Sequence, residues 1–496
     1  TIYFMLTDRF YNGDPGNDLS LNRANDASVL RGFEGGDLKG VLQKMKEGYF
    51  TDLGVTAIWM TPIVEQIKGG SDEGPGLAYA YHGYWTSDWT AIDPNWGTAE
   101  DLHALVDEAH SRGIRILLDG VINHTGPVTA LDPVWPDSWV RTEPQCTYTD
   151  YESTITCTLV KNLPDIKTES NEEVALPPQL IEKWKAEGRY EQEMEELDAF
   201  FELTGHPRAP RFYIMKWLAD YITEFGIDGY RVDTVKHTEE NVWSEFREIC
   251  DYTFTEWKLN NPDKVLDDTD FYLVGEVYNY ALSHGRNFSF GDREVDYFDH
   301  GFNSLINFEF KSDAQSDYET IFTKYSKALK NELQGVSIVN YVTSPDDGGP
   351  FDRNREKPFE SANKLILTPG AVQLYYGDEV ANSLTSELVG HDADLRKPID
   401  WDMVANDEKT RSILSHWQKL VSFRKAHPAI GVGQHTMLSK NPYTFRRSAL
   451  INDKEDKVVV GLELEKGPKS IDVKNTFADG TVVRDSYGNV VVTVTD

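Results

Sequence analysis

Apolar residues fall in eight short runs with helical patterns between them: Ile2–Leu6, Ala57–Met60, Ile114–Leu118, Ile227–Val232, Phe271–Val277, Leu305–Phe310, Ser337–Val342 and Ala371–Tyr376. Continuous apolar runs, rather than alternating ones, suit strands covered on both faces, as in a parallel sheet wrapped by helices. The intervening segments repeat apolar positions every three or four residues, as in Ile214, Trp217, Leu218, Tyr221 and Phe225. Eight such alternations predict a parallel α/β barrel. The rhythm breaks after His124, where about 85 residues precede the helix that leads to Asp228. That is too long for a loop, so residues 125–208 are expected to form an inserted domain B. It holds a hairpin candidate between Cys146 and Cys157 and a charged helical stretch, Pro178–Phe201. Residues 1–124 and 209–427 are then the barrel, domain A. After His427-Pro428 the pattern turns to short alternating strands such as Lys457–Leu464 and Val490–Val494, which predict a carboxyl-terminal antiparallel β-sandwich over 428–496, domain C.

Three of the apolar runs end in polar clusters. Gly229-Tyr-Arg-Val-Asp-Thr-Val-Lys-His237 places Arg231, Asp233, Lys236 and His237 at or just beyond a strand's carboxyl end, where α/β folds carry their active sites. Arg231 and Asp233, two apart, point to the same side of the strand, and the cation favours an ionised carboxylate. Taken alone, the stretch is also readable, less readily, as a structural ion pair. Asp119-Gly-Val-Ile-Asn-His124 and Gly275-Glu276-Val277 repeat the arrangement at two further strand ends. Together the three segments resemble the conserved regions of the α-amylase family, glycoside hydrolase family 13, whose members are built on a (β/α)8 TIM barrel. The resemblance runs from Ile2 to about Phe423.

The resemblance implies a retaining glycosidase acting on α-1,4 bonds of starch, maltodextrins or related α-glucans. Such an enzyme needs an ionised carboxylate to attack the anomeric carbon and a protonated carboxyl to release the leaving group, about 5–5.5 Å apart. Asp233 matches the nucleophile and Glu276 the general acid/base, with Arg231 keeping Asp233 ionised. The third family carboxylate matches Asp346, with Asp347 one residue away as the alternative. Pro345 departs from the family, which usually has a histidine there donating to the sugar at the cleavage site. Proline offers no side-chain donor. The loss of one such bond corresponds to roughly 10- to 150-fold in rate when the bond acts in the transition state.

Tyr79-Ala-Tyr-His-Gly-Tyr-Trp85 is a dense aromatic set with a glycine, a loop rather than a core strand. By resemblance Tyr84 stacks on the sugar at the cleavage site, His82 and Trp85 line the neighbouring subsite, and His124 bonds sugar hydroxyls. Lys236 and His237 match a pair on the leaving-group side. Asn12, Asp14, Asn17 and Asp18, with Gly35 and Asp37 returning later in the chain, read either as a turn-rich loop or as oxygen ligands for a hard cation. They resemble a calcium loop of bacterial amylases and cyclodextrin glucanotransferases. A second calcium site is implied at Asn123, Asp165 and the carbonyl of His237.

Composition narrows the partners. A net charge of −33 disfavours nucleic acid, whose phosphates are bound by Lys and Arg. It suits a neutral sugar or a cation, and it also suits a salty medium, where self-repulsion is screened. No apolar run reaches the roughly 18–20 residues of a membrane helix. Cys146 and Cys157 are placed for a disulfide or for mere proximity, and Cys250 falls in an apolar helical pattern as a buried thiol. A monomeric, secreted or periplasmic enzyme is expected, with a leader or extension ahead of the first strand. A transglycosylase, an exo-acting α-glucosidase-like enzyme and a non-catalytic glucan-binding protein remain as alternatives.

Overall fold

The computed structural model describes residues 1–495 apart from Glu73, residues 386–391 and Lys474. All eight expected strands form: β1 (Ile2–Met5), β2 (Ala57–Met60), β3 (Arg115–Gly120), β4 (Gly229–Val232), β5 (Tyr272–Gly275), β6 (Ser304–Asn307), β7 (Ser337–Asn340) and β8 (Ala371–Tyr375). Each pairs in parallel with its neighbours in sequence, and β1 pairs with β8 to close the barrel. The apolar runs overshoot the strands because several of them continue into the loops above the barrel. Phe271–Val277 stops pairing at Gly275, which leaves Glu276 as the first residue beyond the rim. Leu305–Phe310 likewise ends at Asn307, and Phe310 opens a short helix.

Outside the segment that follows β3, the helices α1 (Leu38–Lys46), α2 (Ala99–Ser111), α3 (Pro210–Phe225), α4 (Glu240–Asn260), α5 (Tyr318–Lys330), α6 (Pro358–Ile366) and α7 (Glu408–Ala426) are the long elements between or after the strands. Their ends obey local chemistry. Thr98 and Asp101 cap α2 reciprocally, satisfying two of the backbone donors that a helix start leaves unpaired. Pro210 opens α3, where a missing N–H costs nothing. Between β5 and β6 the described residues form only short strands and 3-10 turns.

The segment between β3 and α3 contains a two-stranded pairing of Val140–Arg141 with Asp165–Ile166 and three helices, Glu152–Ile155, Pro178–Glu187 and Tyr190–Thr204. Trp139 and Trp184 from this segment pack on Trp217 of α3, which accounts for a helix buried on nearly every face. Two expectations are corrected here. The charged stretch Pro178–Phe201 is two helices, broken at Gly188, whose φ of 74° is the left-handed conformation that glycine adopts without penalty. The residues between Cys146 and Cys157 are not a hairpin. Asp150 accepts a hydrogen bond from the Ser153 N–H at 2.9 Å, and such local side-chain bonds start a helical turn at the expense of strand pairing. The two cysteines do form a disulfide. Cys250 is a buried free thiol on α4.

Beyond α7, Gln434–Lys440, Tyr443–Ile451 and Lys454–Gly461 form a three-stranded antiparallel sheet, and Val482–Asp485 pairs with Val490–Thr493. Arg447 ties the larger sheet to the barrel by donating to the carbonyls of Leu367 and Ile430. Among the described residues no helix is long and apolar enough to cross a membrane.

Candidate active site

A cleft of about 650 Å³ opens at the carboxyl end of the barrel, and Arg231 is buried behind Asp233 and Glu276, which line it. Parallel pairing sets Arg231 of β4 in register with Asp119 of β3. The guanidinium then spans three carboxylates. Nη1 donates to Asp119 Oδ1 at 2.9 Å and to Asp233 Oδ1 at 2.7 Å, while Nη2 pairs with Glu276 Oε1 at 2.7 Å. Asp119 also accepts from the Tyr84 hydroxyl at 2.7 Å and from the Trp59 indole at 3.0 Å. Asp233 and Glu276 are thus brought together by one cation, as their positions at adjacent strand ends required.

Thr234 has a φ of 49°, a strained conformation for a β-branched residue, costing of order 1–3 kcal/mol. The turn it makes directs its N–H at Glu276 Oε2, 3.1 Å away. Burial raises the Glu276 carboxyl to about 8, with the charges of Asp233 and Asp346 adding to the rise and Arg231 and the Thr234 N–H opposing it. Burial pushes Asp119 upward in the same way, against the pull of Arg231.

The aromatic and histidine candidates line the same cleft. Tyr84, His82, Trp85, His124, Lys236 and His237 all face it. His124 donates from Nε2 to the Tyr84 carbonyl at 3.1 Å, and the Tyr84 N–H donates to His82 Nδ1 at 3.1 Å, so the loop and the third strand end brace each other. Burial holds His82 and His124 below the ordinary imidazole range and lowers His237 to about 4, so all three are neutral near pH 7. Neutral rings can both donate to and accept from sugar hydroxyls. His237 donates to the carbonyl of Thr154 inside the disulfide loop at 3.1 Å, and Tyr148 of that loop packs edge-on against it. The Lys236 ammonium donates to the Tyr278 carbonyl at 3.1 Å.

Asp346 and Pro345 line the cleft on its far side. Asp347 is turned away, accepting from the Tyr341 hydroxyl at 2.8 Å and pairing with Lys311, so of the two carboxylates only Asp346 lines the cleft. Arg396 pairs with Asp346 at 2.7 Å. Asp119, Trp59, Tyr148, Tyr278 and Arg396 belong to the site although sequence reasoning did not select them. Asp119 was within reach, because it opens the segment that ends in His124. Tyr148 and Arg396 come from the insertion and from a loop after β8, and no local pattern marks them.

The two expected calcium sets behave differently. In the first, the Asp37 carboxylate accepts from the N–H groups of Gly13, Asp14 and Gly40, and Asp14 pairs outward with Lys39. Both are thereby committed to the loop itself. What remains fits a hard cation. The side-chain oxygens of Asn12 and Asn17 are buried without a hydrogen-bond partner, Asp18 lies 2.9 Å from the Asn12 amide nitrogen, and Gly35 packs so closely that a Cβ would come within 2.7 Å of Asp18 Oδ1. In the second set, Asp165 Oδ2 is buried without a hydrogen bond but ion-paired with Arg141 Nε at 3.1 Å, and burial pushes that carboxyl well up against the pull of Arg141. Asn123 accepts from the Ile166 N–H at 2.8 Å and from Thr238 Oγ1 at 3.3 Å, which brings Asp165 and the turn after His237 to one place. A divalent cation there would share the Asp165 carboxylate with Arg141 and add to its neutralisation. Among the described residues no three His, Cys, Asp or Glu side chains form a metal cluster, so any cation would rest partly on amide and carbonyl oxygens.

A second cavity, of about 270 Å³, lies at the opposite end of the barrel beside the His110–Asp228 pair and contains none of the candidate residues.

The family model for the α-amylase catalytic domain matches residues 4–433. The periplasmic α-amylase of Escherichia coli (strain K12) is 34% identical over 522 residues, covering 93% of this chain and 71% of that protein. A cyclomaltodextrinase of a Bacillus species is 27% identical, covering 94% and 72% respectively. Among solved structures, an Anoxybacillus α-amylase superposes with a TM-score of 0.67 at 24% identity, covering all of this chain and 93% of its own.

Proposed function

The chain belongs to the α-amylase family of glycosidases acting on α-glucans, and from that premise we propose that it cleaves α-1,4-glucosidic bonds with retention of configuration, through a covalent glycosyl-enzyme intermediate. The observation that carries this reading is the single guanidinium shared by Asp233 and Glu276. It places the two carboxylates side by side, in keeping with the close spacing of about 5–5.5 Å that a retaining reaction uses. Asp233 attacks the anomeric carbon. Glu276, kept protonated by burial up to about pH 8, gives its proton to the departing glycosidic oxygen and then takes one from the incoming water. Asp346 bonds the sugar's hydroxyls, Tyr84 offers an aromatic face, and His82, Trp85 and His124 hold the sugars on one side of the scissile bond. Lys236, His237 and Tyr148 receive the leaving chain.

Maltoheptaose tests the reading directly. Shorter maltodextrins released first as α-anomers are expected. Release as β-anomers, or recovery of intact substrate, would sink it, and products longer than seven glucose units would favour transglycosylation. The cyclomaltodextrinase and cyclomaltodextrin glucanotransferase relatives keep that second outcome in view.

Calcium is proposed at the two oxygen sets, held by Asn12, Asn17 and Asp18 in one and by Asn123, Asp165 and the His237 carbonyl in the other. When bound it supplies a local positive charge that pins the loops to the barrel. Exhaustive chelation is therefore expected to lower the unfolding temperature, since a cation bound only by the folded state stabilises it by mass action. Unchanged melting with no calcium found by elemental analysis would refute both sites. The Cys146–Cys157 disulfide supports an extracytoplasmic location.

A further inference from the structure

We propose that the base of the barrel, where it meets domain C, carries an anion site that takes a phosphate group, as the free ion or as part of a phosphorylated sugar. A cavity of about 710 Å³ lies there, within the size range of small-molecule sites. It opens beside Ser337 and Ala371, the first residues of β7 and β8, and so on the far side of the barrel from the catalytic cleft. The chain has 82 acidic and 49 basic residues, yet no acidic side chain lines this cavity, while Lys330, Arg424 and Lys425 do.

These cations lack carboxylate partners. Among the described residues neither Lys330 nor Lys425 forms an ion pair or a side-chain hydrogen bond. Arg424 gives its Nη atoms to the carbonyls of Ile366, Thr368 and Gly370, and its Nε has no partner among the described residues. Arg447 of domain C stands behind it, donating to the carbonyls of Leu367 and Ile430. It is wholly out of solvent, and its Nη2 is buried with no hydrogen-bond partner. Burial lowers Arg424 to about 10, and burial together with the charge of Arg424 lowers Arg447 to about 9. Both stay charged near pH 7, without the paired negative charge that a buried cation calls for. Glu319 offsets Arg447 in part, but it is already bonded to His435 and to the Tyr443 hydroxyl.

Helix ends compete for this charge. α5, α6 and α7 all finish here, and each offers about half a negative charge at its carboxyl terminus. Four full cations exceed that sum. A doubly charged oxyanion restores the balance, which favours phosphate over chloride or a single carboxylate. Donors for its oxygens are at hand. Ser326 Oγ accepts from the His435 N–H at 3.3 Å, which leaves its own proton free, and the Gln434 side chain lines the same cavity. An anion so held would bridge α5 and α7 to the first strand of domain C, and its effect would fall on stability.

The test is equilibrium dialysis of the whole chain against labelled inorganic phosphate, with thermal unfolding in parallel and sodium chloride holding the ionic strength constant. The parent should bind phosphate saturably, and its unfolding temperature should rise along the same curve. K330Q/K425Q should weaken binding about tenfold, the scale of two exposed charge pairs. Both lysines are exposed, so the variant should fold; if it does not, K330Q alone decides, with a loss of about threefold. Phosphate also stabilises proteins by exclusion from their surfaces, an effect that does not saturate and does not depend on these lysines. Glucose 6-phosphate binding more tightly than inorganic phosphate, with glucose alone not binding, would assign the site to a sugar phosphate, and equal affinities would assign it to the free ion. No saturable binding, or equal binding by parent and variant, overturns the proposal.

Discussion

Replacing Asp233 by asparagine is expected to reduce kcat on maltodextrins on the order of 10⁴-fold or more, the scale seen when a covalent nucleophile is removed from a group that acts as a unit. The amide is isosteric and keeps a hydrogen-bond acceptor near Arg231 Nη1, so the site should hold its shape. It carries no charge to attack the anomeric carbon and cannot form the glycosyl ester. Binding should survive, so maltoheptaose affinity measured by calorimetry should stay within a few-fold of the parent. The introduced amide can revert to the carboxylate by deamidation, so mass spectrometry must accompany the assay. Substantial turnover by protein verified as the amide would remove Asp233 from the proposed role.

Glu276→Gln should separate substrates by their leaving groups. On maltodextrins, whose departing oxygen needs a proton, the loss should be on the order of 10²–10⁴-fold. On an aryl glycoside with an acidic phenol it should be much smaller. Equal losses on the two would exclude the acid role. The parent enzyme should also lose kcat/KM as pH rises through about 8, because Glu276 must be protonated in the free enzyme, and this alkaline limb should be absent in Glu276→Gln. The same shift has a stability sign. Between the ordinary carboxyl value of 4.5 and about 8, the folded protein keeps a proton the unfolded chain has released, so this group's contribution to stability falls as pH rises. A denaturant series across that window should show the variant with the shallower pH dependence.

The barrel was legible because each of its strands is buried on both faces and therefore reads as an unbroken apolar run. The polar endings of β3, β4 and β5 were legible for the complementary reason, since charge placed against such runs has no packing role. The insertion was legible as an insertion but not in its inner detail, because its short elements are set by local hydrogen bonds and by packing on α3. The hairpin expected between Cys146 and Cys157 looked plausible from its β-branched residues, yet Asp150 and Ser153 turned it into a helical turn. Arg396 was out of reach for another reason. It belongs to the site through its pairing with Asp346, 50 positions away, and a single arginine in a loop carries no periodicity to mark it.

Arg231 faces three carboxylates with one positive charge. In the proposed reaction Asp233 loses its charge on becoming an ester, while Glu276 gains one on giving up its proton. The total within the array is unchanged by the step. The negative charge only crosses from the Nη1 side of one delocalised cation to the Nη2 side. A buried site that had to create or discharge an ion would need its surroundings to repolarise each time. Here one fixed guanidinium serves the free enzyme and the intermediate alike, so the electrostatic environment built into the fold suits both ends of the step.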